Sequence, residues 1–245
     1  MMLLLILLAA TQPAAPPPPV ASRAETARPV SAEALALAEL LAGPDLVFGP
    51  GSQQQARAMM IDLYGRDPGM QEIEARSPGT AAAVVDAILP IVTRSAERRL
   101  PGLHQRLGAL YQQRFTPGEI GRLRAFYGSP TGIRFIRGMQ QRVNGDATVE
   151  SAAARRDRVP DSSAVLEDLG RAGQATAMAL SPADQEVLMR LRDGGLLQKV
   201  ERMNPEAART LVAWSQELSA EDQTEIMTAS QEIVRKRLAG AEKQR

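Results

Sequence analysis

Residues 103–143 read LHQRLGALYQQRFTPGEIGRLRAFYGSPTGIRFIRGMQQRV, and three helices can be read from them. Leu103, Leu107, Leu110, Tyr111 and Phe115 recur at spacings of four, three, one and four, which places them on one helical face. Thr116 closes that helix and opens the next. Its hydroxyl can accept from the free amides of the following turn, Pro117 has no amide to waste at the first helical position, and Glu119 stands where a capping box needs a carboxylate. The second helix is expected to bury Ile120, Leu123 and one of Phe126 and Tyr127. Gly128 ends it, Ser129 and Pro130 repeat the cap-then-proline device, and Ile133, Ile136, Met139 and Val143 are expected to line the inner side of a third helix. Arg134, Arg137 and Gln141 then fall on another face, open to solvent.

Working outward, the same punctuation recurs. Ser31 caps a short helix with Leu37, Leu40 and Leu41 inward, ended by Gly43-Pro44, and residues 48–52 form a Gly-Pro-Gly loop. No Gly-Lys-Ser/Thr follows that loop and no strand precedes it, which excludes a phosphate loop. Residues 53–64 read as a helix, and Asp67-Pro68 and Ser77-Pro78 each read as a cap followed by proline. The second of these starts a long helix carrying Val84, Val85, Ile88, Ile91 and Val92, kinked at Pro90. Residues 98–102 mark a break. Residues 144–163 lose periodicity and read as a linker between an N-terminal helical domain at 31–143 and a C-terminal helical half at 164–239, with a frayed tail at 240–245.

In the second half, Ser181-Pro182-Ala183-Asp184 imitates Thr116-Pro117-Gly118-Glu119 at a shift of 65 residues, with Leu123 matched by Leu188 and Phe126 by Leu191. A degenerate duplication and a reuse of the same capping chemistry both account for this. Asn204-Pro205 is expected to open a further helix with Leu211, Trp214 and Leu218 inward, and Ser219 a last one carrying Ile226, Ile233, Val234 and Leu238. No run alternates apolar and polar residues at the period of a strand. The expected fold is all-α, a multi-helix bundle of short proline-capped helices built as two halves that are related if the likeness is a true duplication.

Tyr111 and Phe115 before the Thr116-Pro117 pair of FTPGEI, then the acidic Glu119, FYGSPTG and a further amphipathic helix, resemble the bacterial domain of unknown function 2059 family, over roughly residues 84–143. The resemblance implies a small helical domain of the kind found in exported envelope proteins. It supplies no activity, cofactor or catalytic residue.

Composition agrees with such a fold. Hydrophobic residues make up 44% of 245, enough for a core, but aromatics only 3%, so Leu, Ile, Val, Met and Ala must fill it. The 29 basic and 28 acidic residues balance, which removes the electrostatic reason to expect nucleic acid as a partner. The opening MMLLLILLAA is too short to span a bilayer of about 30 Å but has the length of a signal-peptide core. Residues 1–22 are therefore expected to be a signal peptide, cleaved after about residue 10 or residue 22, leaving no stable transmembrane anchor. Residues 11–30, rich in proline and alanine, are expected to be a disordered tether, and the location periplasmic or secreted. With no cysteine, a lipidated cysteine and a disulfide framework are excluded.

Catalytic constellations are hard to assemble. His104 is the sole histidine and is expected to be structural or exposed, and neither His-Glu-x-x-His nor Ser-x-x-Lys occurs. Ser129 in GSPTG is not central as a nucleophile elbow requires. Glu119 and Asp184 sit at third helical positions, where a carboxylate complements the helix dipole, and Glu72 and Glu74 point apart. No metal or cofactor is expected. The expected structural caps are Thr116, Pro117, Glu119, Ser129, Pro130, Ser181 and Pro182. The expected binding surface joins Phe126 and Tyr127 to Arg134 and Arg137 in a basic-rimmed cleft, with both rings buried as the alternative. The expected role is non-catalytic binding of an envelope protein or peptide; a carboxylate-dependent envelope hydrolase and a lipid-surface binder are the alternatives.

Overall fold

A computed structural model describes residues 29–155 and 159–243. The expected signal peptide, most of the tether and the last two residues of the tail lie outside them. The chain runs α1 Ala32–Leu41, α2 Pro44–Phe48, α3 Pro50–Gly65, α4 Pro68–Arg76, α5 Thr80–Arg114, α6 Pro117–Tyr127, α7 Pro130–Arg142, α8 Asp146–Ala153, α9 Ser162–Ala179, α10 Pro182–Asp193, α11 Leu196–Ser215 and α12 Ala220–Lys243. No strand occurs among the described residues, so the all-α bundle is what the sequence builds.

The axis of the fold is α5. At 35 residues it extends roughly 50 Å, and α1, α3, α11 and α12 pack along it. Val84, Val85, Ile88, Val92, Leu103 and Leu107 give it a buried stripe, met by Leu37 of α1, Met60 of α3, Trp214 of α11 and Ile226 of α12. Residues from both sides of the expected linker thus share one core. The indole Nε1 of Trp214 donates to the carbonyl of Arg99 at 3.1 Å, and the Arg99 guanidinium lies 4.7 Å from the ring centroid. Arg99 also donates to the Trp214 carbonyl at 2.7 Å, so the two residues clamp α11 to α5.

Several expected boundaries move. Pro50 begins α3 directly behind Gly49, so most of the expected Gly-Pro-Gly loop is helical; proline at the first helical position loses no hydrogen bond. Ser77 ends α4 rather than starting α5, whose N-cap is Gly79 at φ +82°. The capping oxygens there come from Glu74, which accepts from the amides of Gly79 at 2.7 Å and Ala81 at 2.5 Å. The break expected at residues 98–102 does not occur, because α5 continues through Pro101, and α11 likewise continues through Asn204-Pro205. A proline inside a helix costs about 3 kcal/mol. Burying Leu100, Leu103 and Leu107 on one unbroken stripe outweighs it, at roughly 1.5–3 kcal/mol per side chain.

The stretch expected as a linker contains α8. Its first amides, those of Ala147 and Thr148, are capped from outside by the buried carboxylate of Asp168 on α9, at 3.2 and 2.9 Å. The N-cap itself is Gly145, without a side chain, and the one local acceptor, Asn144, meets the Asp146 amide only at 3.5 Å, so the helix depends on Asp168 and is not legible from its own letters.

Candidate functional site

The FYGSPTG element resolves into a tight corner between α6 and α7. Phe126 and Tyr127 are both buried, at 6% and 9% exposure, and their rings meet edge to face with centroids 4.9 Å apart. This is the alternative in which both rings enter the core, and burial pushes the Tyr127 hydroxyl up to about 12. Ser129 serves both helices: its Oγ donates to the Phe126 carbonyl at 2.6 Å and accepts from the Gly132 amide at 3.1 Å. Gly132 lets α7 seat on α6, since a Cβ there would stand 2.1 Å from the carbonyl oxygen of Phe126.

Third-position carboxylates recur, and each is also a tertiary ion pair. Thr116 and Glu119 form a complete capping box, and Lys199 of α11 reaches Glu119 at 2.7 Å. The Lys199 hydrogen bond, then the Thr116 amide, hold the Glu119 carboxyl down at about 2. Ser181 caps α10, and its partner Asp184 takes Arg134 of α7 in two hydrogen bonds, of 2.5 and 3.0 Å, together with the Thr131 hydroxyl. Arg134 first, then Thr131 and Ser181, keep the Asp184 carboxyl well below the usual range. At the start of α12, Asp222 pairs with Arg98 and Ser95 of α5; burial pushes its carboxyl up, but those partners and Ser219 together hold it below its ordinary value. A general acid needs the opposite shift.

Two hollows flank α10. The first, about 310 Å3, lies between α6 and α10, with Phe126, Val187 and Leu191 for walls and Arg122 and Arg190 at the rim. The second, about 570 Å3, is lined by Arg134, Arg137 and Arg142 of α7, Thr176 of α9, and Ser181 and Asp184. The four residues expected to share one cleft are therefore divided: Phe126 belongs to the first hollow, Arg134 and Arg137 to the second, and Tyr127 lines neither. The α7 face also differs from expectation. Ile133 is 39% exposed, while Thr131, Gly132 and Gly138 are buried. Small residues face inward there because α9 approaches closely; a Cβ on Gly138 would lie 2.6 Å from the Thr176 methyl.

Sequence reasoning missed Thr176, Arg142, Arg122 and Arg190 as site residues. The repeat at a shift of 65 residues matched Phe126 with Leu191 only as equivalent positions, and it is the placement of α6 against α10 that brings them to one hollow. His104 is buried and its Nε2 lies 2.9 Å from the Ala42 carbonyl at the end of α1, a structural position. Among the described residues no group of three His, Cys, Asp or Glu is placed to hold a metal ion.

Comparison with curated proteins and with solved structures gives no match. Residues 102–155, which hold the end of α5, the FTPGEI and FYGSPTG elements and α8, match the family model described as "Uncharacterized protein conserved in bacteria" (DUF2059), the family that the sequence resembles at this element.

Proposed function

We propose that this chain is a cell-envelope protein, exported through its N-terminal apolar run, that binds a protein or peptide segment without turning over a substrate. The observation that carries the reading is the groove between α6 and α10. The helix α10 buries none of its apolar side chains fully: Val187, Leu188 and Leu191 are half-buried and Met189 is 57% exposed. Its apolar face is thus only partly covered by this chain, and Arg122 and Arg190 add positive charge at the edge. A segment presenting apolar side chains flanked by acids complements such a groove. The carboxyls of Glu119, Asp184 and Asp222 are held below their ordinary pKa and stay ionised, which supports binding over general-acid catalysis.

Export is supported by the apolar run of residues 1–10, which has the length of a signal-peptide core. Among the described residues no single helix is long and apolar enough to cross a membrane. The one candidate pair, α4 with α5, is bent by 117°, and the apolar residues of α5 are core.

Photo-crosslinking residues placed at Arg122 and at Arg190 test the groove in the producing bacterium, with an exposed position on α12, Arg235, as control. Expected is a shared adduct at both groove positions that is absent at the control. Adducts identical at all three sites overturn the groove reading. Fractionation tests export: the mature chain should appear in the periplasm or medium with a shortened N-terminus, and an uncut cytoplasmic chain refutes it. Met178 and Met189, at 75% and 57% exposure, favour the second reading, a lipid-surface binder. Absence of co-sedimentation with anionic vesicles at low salt eliminates that reading.

A further inference from the structure

We propose that the hollow between α7 and α9 is a binding site for a monocarboxylate carried on a small apolar body. It stands apart from the Phe126 groove and does not depend on it.

Charge is the first observation. Three guanidinium groups and one carboxylate line the hollow. Arg134 is engaged by Asp184. Arg142 gives one nitrogen to the Gly138 carbonyl at 3.1 Å and, among the described residues, pairs with no acid. Arg137 makes no hydrogen bond or ion pair among the described residues. Among the described residues two positive charges are thus without an acid partner in one concavity, and the guanidinium fork matches the two oxygens of a carboxylate.

Thr176 is the second and independent observation. It is 1% exposed, yet its Oγ1 has no hydrogen-bond partner. Helical threonines ordinarily return the hydroxyl to the carbonyl four residues back, and this chain does so twice, at Thr210 to Glu206 and at Thr224 to Ala220, at 2.9 and 2.8 Å. Thr176 does not. Its hydroxyl lies at the close contact of α7 with α9, 3.4 Å from where a Gly138 Cβ would stand, with Arg142 Nη1 3.3 Å from the same point. A buried hydroxyl without a partner, next to a guanidinium with only a carbonyl partner among the described residues, is an arrangement that an oxyanion completes.

The third observation selects the ligand. Asp184 stays ionised at physiological pH because Arg134, Thr131 and Ser181 hold its carboxyl low. Arg134 already compensates that charge, so an incoming anion meets the forks of Arg137 and Arg142, whose paired N–H groups match the two oxygens of a planar carboxylate. Ala179 and Leu180 supply an apolar wall, and a volume of about 570 Å3 admits a body of several carbons beyond the carboxyl group.

Titration calorimetry of the full chain with hexanoate, hexanamide and inorganic phosphate tests the site. Hexanoate should bind at one site per chain, with the amide and phosphate each at least tenfold weaker. Arg137→Gln and Thr176→Val should each weaken hexanoate by about tenfold, while Arg122→Gln, on the other hollow, leaves it unchanged. Thr176→Val replaces the hydroxyl by a methyl of similar size, and circular dichroism confirms that it folds. A peptide with a free C-terminus, set beside its amidated form, separates the two sources of the group: tighter binding of the free peptide than of hexanoate assigns the site to chain ends, weaker binding to small acids. Phosphate binding as tightly as hexanoate, hexanoate binding untouched by both variants, or no saturable hexanoate binding at millimolar concentration overturns the proposal. None of these results bears on crosslinking at Arg122 and Arg190, so the two readings fail separately.

Discussion

One substitution made at two glycines should move stability in opposite directions. Gly121 and Gly132 are both helical, in α6 and α7. A Cβ at Gly121 meets nothing within 4 Å, whereas at Gly132 it would stand 2.1 Å from the Phe126 carbonyl oxygen, 2.6 Å from the Tyr127 Cα and 2.8 Å from the Phe126 carbonyl carbon. Ordinary contact begins near 3.4 Å, so α7 must move away from α6 by more than an ångström, and no side-chain rotation can relieve backbone atoms. Overpacking of this kind costs up to about 3 kcal/mol, against a helix-propensity gain of at most about 1 kcal/mol for alanine over glycine. Gly132→Ala should therefore lose about 2 kcal/mol and Gly121→Ala gain about 1 kcal/mol. For a chain of this size each kcal/mol moves the midpoint by roughly 2–4 °C. Thermal and urea unfolding followed by circular dichroism at 222 nm reads both. A Gly132→Ala protein as stable as the parent, with Gly121→Ala no better, would refute the corner geometry.

Further outcomes follow from the same contacts. Trp214→Phe removes the indole donor to Arg99 and weakens the stacked cation, a loss of about 1–3 kcal/mol. Circular dichroism is the readout, since this is the sole tryptophan. The loss should be under-additive with Arg99→Met by at least about 0.5 kcal/mol, and strict additivity would dissolve the clamp. Pro101→Ala should stabilise by up to about 3 kcal/mol because α5 runs through that position; no gain in urea unfolding would mean that the helix breaks there after all. Glu119 titrates at about 2 in the folded chain, below its ordinary 4.5. Because the folded value is the lower one, its contribution is present above pH 4.5 and is lost as pH falls towards about 2. Glu119→Gln should flatten the acid limb of the stability curve in that window, and an unchanged limb would count against the Lys199 pairing.

The caps show how much of the site was legible. Thr116, Ser129 and Ser181 start helices where the sequence places them, because a hydroxyl or carboxylate acceptor followed by proline is local chemistry needing no knowledge of the rest of the chain. The glutamate and aspartate three positions on were legible as dipole partners, but not as ion pairs with Lys199 and Arg134, residues 80 and 50 positions away. Ser77-Pro78 and Asn204-Pro205 show the converse. The same letters there are overruled, one by Glu74 capping from a neighbouring helix and one by an uninterrupted buried stripe.

What the sequence determined alone is periodic and short-range: helical class, the corner at residues 126–132, and an interior of aliphatic side chains, each set by spacings of a few residues. Only the tertiary structure decided that Phe126 and Tyr127 both go inward, that Arg134 is paired while Arg137 has no acid partner among the described residues, and that Thr176 lies buried beside Gly138 with its hydroxyl unsatisfied. The physical reason is that burial and charge pairing depend on which helices come to lie together. That choice is made by the summed area of all the faces, and no single window of sequence contains it.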